Sequence, residues 1–172
     1  MKNKALSNLD LEKLTTFVIL YCINKGVSIS PLKLQKLLYY IQVWHIIKFD
    51  KNPMFDELAE AWVNGPVYRS VYNTFKKKFF RNDAFALEMN EKELSQALDE
   101  SLINLKLAKK NKELLLAVLD NYSIMSDEKL VFLTHSELPW NDARKGLSPI
   151  ERSENQISID SIYNYYSSKL KK

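Results

Sequence analysis

Two histidines and one cysteine are the residues of this sequence best suited to nucleophilic or acid–base work. Cys22 lies in the apolar run Phe17-Val18-Ile19-Leu20-Tyr21-Cys22-Ile23, where a buried and inert thiol is expected. His45 falls on a long apolar helix and reads as a core or rim histidine. His135 follows Thr134 at a helix end, where its ring can satisfy terminal carbonyls. No local spacing joins the cysteine to either histidine. The paired ligands at short spacing that zinc needs are missing. So are a glycine-rich phosphate loop, a Walker lysine and a dinucleotide fingerprint. Three glycines in 172 residues leave little from which to build a backbone cradle for phosphate. The acidic pairs Asp56-Glu57 and Asp99-Glu100 read as solvated surface. The expectation is a binding protein with no catalytic residues, no metal and no cofactor.

Aromatic residues offer more. Trp62 and Trp140 each sit beside turn residues instead of on a long apolar stripe. Tryptophan is enriched at binding hot spots, although each ring could equally plug a gap between helices. The formal charge of +4 raises the question of nucleic acid. Lys169, Lys171 and Lys172 supply most of the excess at the final helix end, where lysines complement the helix dipole. Lys76-Lys77-Lys78 and Arg81 alternate with Phe75, Phe79 and Phe80. This cluster reads as a solvated helix end in preference to a phosphate-contacting patch.

The elements that must position these residues are mainly helical. Scarce glycine disfavours a sandwich of many tight turns. Residues 1–8 are expected to be a loose arm. A first helix is predicted from near Asp10 to Asn24, closed by Gly26. Ser30-Pro31 is a sharp second start, with a capping hydroxyl before a proline at the first helical position. That second helix is apolar on most sides, and its polar residues (Lys33, Gln35, Lys36, Gln42, His45) are scattered around the wheel, so it is expected to be the central spine. Residues 55–67 should hold a short extended segment or hairpin, turning at Asn64-Gly65-Pro66, and Pro66 could open a helix through Val71 and Phe75. Asn90 with Glu93 makes a capping box. One bent helix or two follow to residue 122. Ser126 starts another, a short turn spans Trp140–Lys145, and Ser158 or Asp160 caps the last helix. The whole is a single-domain bundle over residues 1–172, with a basic C-terminal tail.

Three segments together resemble a known family. Leu32-Lys33-Leu34-Gln35-Lys36-Leu37-Leu38-Tyr39-Tyr40 with Gln42, Trp44 and His45 is similar to its opening helix. Glu60-Ala61-Trp62-Val63-Asn64-Gly65-Pro66-Val67 with Val71-Tyr72 is similar to its central motif. Leu133-Thr134-His135-Ser136-Glu137-Leu138-Pro139-Trp140 with Ala143-Arg144 is similar to its late element. The family is the Panacea antitoxin domain, the SocA-like group also called phage-associated proteins, and the motifs extend over about residues 11–166.

The resemblance implies a mainly helical antitoxin that neutralises a cognate toxin, encoded by an adjacent gene, through direct protein–protein binding. One known type instead delivers its toxin to a protease. Some members add a DNA-binding region; none is expected within these residues, because the motifs occupy almost all of them. The family carries no catalytic residues. Trp62, Asn64, Val67, Tyr68, Arg69 and Trp140 are the candidate partner contacts. Gln35, Lys36, Leu37, Tyr39, Tyr40, Gly65, Pro66, His135 and Pro139 are expected to be structural, with Pro139 holding Leu138 extended. A cytoplasmic location is expected, without membrane contact or nucleic acid, and self-association is left open. The alternatives are a proteolytic adaptor and a nucleic-acid-binding helical protein.

Overall fold

A computed structural model describes residues 9–81 and 83–171; the arm expected at residues 1–8 lies outside them. The described residues form eight helices and one hairpin. Helices α1 (Leu11–Asn24) and α2 (Pro31–Lys48) come first, then strands β1 (Glu60–Trp62) and β2 (Gly65–Val67). Helices α3 (Arg69–Arg81), α4 (Glu91–Asn104), α5 (Lys109–Tyr122), α6 (Asp127–His135), α7 (Leu138–Ala143) and α8 (Ile159–Leu170) follow. Several starts are written locally. Asp10 accepts from the N–H groups of Glu12 and Lys13, and Ser30 from that of Lys33 ahead of Pro31. Asn90 and Glu93 complete a capping box, and Ser126 and Ser158 cap α6 and α8.

α2 is the axis of the bundle. Fourteen of its eighteen residues are buried, and α1, α3, α5, α6, α8 and β2 all pack on it. Leu34, Leu37, Leu38 and Ile41 are fully buried, each worth roughly 2 kcal/mol of burial. Tyr39 and Tyr40 share that core with their rings edge-on at 5.5 Å. On the side facing α5 and α8, Tyr40 stacks on Tyr122 at 4.2 Å. The Tyr40 and Tyr166 hydroxyls both donate to Glu137, at 3.1 and 2.5 Å. Burial pushes the Glu137 carboxyl above its ordinary range.

Four of the five scattered polar residues of α2 (Gln35, Lys36, Gln42 and His45) grip backbone of the segment between α2 and α3. Gln42 donates to the Phe55 carbonyl at 2.7 Å and accepts from the Met54 N–H at 2.7 Å. His45 Nδ1 donates to the Asn52 carbonyl at 2.8 Å, with burial holding the ring below its ordinary pKa. Gln35 makes the same two-sided grip on Tyr68, accepting from its N–H at 2.8 Å and donating to its carbonyl at 3.2 Å. Irregular chain can lie in the core only if its peptide groups find partners.

Three local expectations are corrected. Pro66 does not open a helix. It sits in β2, and α3 begins at Arg69, where Glu57 receives the N–H of Ser70 at 3.0 Å and its hydroxyl. Glu57 is therefore a cap for α3 and not free solvated surface. Leu138 is not extended by Pro139. It is the first residue of α7, and the extended residue is Glu137, because a proline within the first turn sacrifices no helical bond. Of the two alternatives left open for the stretch to residue 122, the structure has two helices, broken where Lys106 takes a positive φ of 50°.

Replacing Gln35 by Leu keeps the volume and removes both hydrogen bonds, leaving the Tyr68 N–H and C=O unpaired in the core. Urea denaturation should report a loss of about 2–5 kcal/mol, and a loss under about 1 kcal/mol would mean that Gln35 does not hold this segment.

Candidate functional site

Only two residues, Val63 and Asn64, join β1 to β2, pairing Glu60 with Val67, Ala61 with Pro66 and Trp62 with Gly65. The positive φ that closes the turn falls on Gly65, at +99°, where glycine has no steric penalty. Gly65 is needed for space as well. A Cβ there would lie 2.6 Å from Lys36 Cε and 2.8 Å from Thr134 Oγ1.

Both edges of this hairpin are occupied. On the outer edge of β2, Pro66 has no N–H to offer, and its carbonyl accepts from Lys36 Nζ at 3.1 Å. On the outer edge of β1, the Ala61 N–H donates to the Asn155 carbonyl at 2.8 Å, and the Ile157 N–H donates to Ala59 at 2.8 Å. Arg144 takes the remaining carbonyl, that of Ala61, at 2.9 Å, while its other nitrogen reaches Ser148 at 3.0 Å and Glu151 at 2.8 Å. Trp140 lies under the turn, donating from Nε1 to the Trp62 carbonyl at 2.9 Å, with His135 stacked on its ring at 4.1 Å. An added strand has nowhere to pair. What the hairpin offers a partner is side chains.

Those side chains form a ledge shared with α3. The Glu60 carboxylate is held by Arg69 Nε at 2.8 Å, by Arg69 Nη2 at 2.7 Å and by Trp62 Nε1 at 2.7 Å. Burial works to raise its pKa, and these donors win, holding it below the ordinary carboxylate range. Arg69 also meets Glu154 at 2.7 Å and lies 5.5 Å from the Trp62 ring centre. Tyr72 meets Trp62 edge-on at 4.7 Å, and Phe79 meets Tyr72 at 5.0 Å. A line of half-buried aromatics thus runs from the hairpin to the end of α3, rigid on one side and open to solvent on the other. Among the described residues, no three His, Cys, Asp or Glu side chains gather as a metal ion would require.

A family model described as the SocA-like antitoxin, Panacea domain, matches residues 34–141, more than half of the chain. The chain belongs to that family. No curated protein and no solved structure matches it. The matched span runs from within α2 to within α7, so it is shorter than the expected motif range of 11–166 and leaves α1 and α8 outside. It contains every residue of the hairpin ledge except Glu154.

In this Panacea domain the six expected contacts divide by depth. Asn64 is exposed at the turn, and Trp62 and Arg69 are half-buried on the ledge. Val67 and Tyr68 are only 3% and 1% exposed, and Trp140 is 9% exposed, so these three side chains are packed into the domain and not offered to a partner. Every residue of β2 is buried, without the alternation of a half-exposed strand, because α2 and α6 pack on it, and Trp140 is covered as α7 docks. His135 does not use its ring on terminal carbonyls. The ring stacks on Trp140, and Asn141 Nδ2 donates to the His135 carbonyl at 2.8 Å instead. Glu60, Tyr72, Phe79 and Arg144 are additions from the structure. Tyr72 and Phe79 carried a signal, being seven residues apart on one helix face. Arg144 was marked only through the late element that resembles the family, and its role was not readable, because its carbonyl partners lie in two separate segments.

Lys36 is fully buried beneath the hairpin, with no carboxylate in ion-pair contact among the described residues. Burial pushes its amine down to about 7, with the charge of Asp127 pulling the other way. The uncharged amine still donates to Pro66. In the unfolded chain the lysine keeps its proton to about 10.5. Between about 7 and 10.5 the unfolded state therefore binds more protons, and this site makes stability rise with pH. Urea midpoints from about pH 7 to 9 should climb in the wild type and stay flatter in Lys36→Met; parallel profiles would show that Lys36 is not the source. Gly65→Ala combines a disfavoured φ with a clash against Lys36, so its melting transition should reveal a loss of about 1–3 kcal/mol or more.

Proposed function

We propose that the protein is an antitoxin that neutralises a toxin, encoded by a neighbouring gene, by stoichiometric binding in the cytoplasm through the hairpin–α3 ledge. Family membership supports a toxin partner. The observation that carries the rest is a hairpin closed at both edges that still presents Trp62, Asn64 and Arg69 outward. A pre-organised aromatic beside a bound arginine is the composition of an interface hot spot, and its rigidity lowers the ordering cost of association. Direct binding needs no catalysis by this chain. In keeping with that, Gln35, Lys36, Gln42 and His45 spend their hydrogen bonds on the fold's own backbone. Among the described residues no helix is long and apolar enough to cross a membrane, and the single cysteine, Cys22, is buried and unpaired, which suits a reducing compartment.

Expression of the neighbouring gene alone and together with this one tests the reading, with growth and toxin abundance followed in parallel. Neutralisation predicts restored growth at unchanged toxin level and a complex that survives purification. A toxin level that falls on co-expression would assign the complex to proteolytic delivery instead. Trp62→Ala should weaken the complex by about 2 kcal/mol or more, while Ile103→Ala on α4 should leave it intact. Equal affinities for both variants would move the contact off the ledge.

A further inference from the structure

Phe80 lies 82% exposed in the last turn of α3, beside the end of the aromatic line. Lys76 and Lys77 precede it by four and three residues, so all three share one helix face, and Arg81 adjoins them. All four side chains are exposed. α3 carries five cationic residues and no acidic one. Two of the five are engaged. Arg69 meets Glu60 and Glu154, and Lys78 lies 5.2 Å from the Phe85 ring centre. Among the described residues, Lys76, Lys77 and Arg81 have no carboxylate within ion-pair distance. Lysines in a last turn answer the helix dipole, but the dipole gives no reason for a phenylalanine in water among them. A large apolar ring flanked on its helix by unpaired cations has the composition of one half of an interface, with an apolar anchor and a charged rim.

The charge distribution limits the other half. The unpaired cations occupy residues 76–81, roughly 8 Å along the helix axis. Toward the start of α3 the surface turns acidic, with Glu57, Glu60 and Glu154 gathered around Ser70 and Arg69. A nucleic-acid backbone extending past that short patch would run into carboxylates. It would also find few of the 6–10 phosphate contacts that strong salt-dependent binding uses. A compact acidic patch on a folded protein matches the size.

We propose that the last two turns of α3 bind an acidic-rimmed apolar pocket on the toxin, with Phe80 inserted and Lys76, Lys77 and Arg81 facing the rim. This rests on the antitoxin reading and extends the ledge contact by one specific anchor. The test measures binding of the neighbouring gene's product, and of a short mixed-sequence DNA duplex, to the wild type, Phe80→Ala and Lys76→Glu/Lys77→Glu. All three residues are exposed, so unchanged circular dichroism and melting are expected. Phe80→Ala should weaken the protein complex by about tenfold or more. The charge reversal should weaken it by at least as much and remove its salt dependence, with no duplex binding by any form. A wild-type complex that both variants retain would overturn the Phe80 anchor and leave the antitoxin reading standing. Duplex binding lost on charge reversal would overturn it in favour of nucleic acid. A wild type that binds neither probe would overturn both readings.

Discussion

Two strands of three residues each cannot persist in water alone, and this hairpin exists because α2 lends it side-chain hydrogen bonds. Gln35 closes on both peptide groups of Tyr68, Lys36 on the carbonyl of Pro66, and Gln42 on both sides of the Met54–Phe55 peptide. Removing backbone from water costs several kcal/mol per unpaired group, so without these partners residues 52–68 would be driven to the surface. Trp62 would then lose its base, and α3 would lose the fixed starting point that aligns its aromatic face with the hairpin.

The same arrangement separates scaffold from contact. Of the motif residues, Gln35, Lys36, Pro139 and Trp140 lie behind or beneath the hairpin and Gly65 and Pro66 are buried within it, several of them fully. The exposed residues Asn64, Lys76 and Phe80 are free of those packing constraints. A domain built in this way can alter its outward chemistry without disturbing the clamp that holds the ledge.

Local chemistry made much of the fold legible. Asp10, Ser30-Pro31, the Asn90–Glu93 box and Ser126 each announce a helix start that hydrogen-bonding within a few residues enforces, and the many-sided apolarity of α2 marks it as central. Tertiary partners decided what could not be read. Pro66 looks like a helix opener until Lys36 and the pairing with Ala61 hold it in a strand. The polar residues of α2 look like scatter until the backbone they grip is in view. Depth on the hairpin was also hidden. Val67, Tyr68 and Trp140 look as available in sequence as Trp62, and only the packing of α2 and α7 beneath the strands separates them. The role of Arg144 is legible least of all, since its burial depends on carbonyls of Ala61, Ser148 and Glu151 that meet only in the finished domain.

That dependence reaches into how the protein is born. The outer edge of β1 is completed by Asn155 and Ile157, more than ninety residues downstream. At synthesis rates of about 5–20 residues per second, roughly 5 to 20 seconds separate the emergence of β1 from that of its neighbour. Contacts so distant in sequence form late and slowly. During that interval the nascent chain holds its central helix and hairpin residues but not the finished face, so the ledge is completed as one of the last events in the protein's maturation.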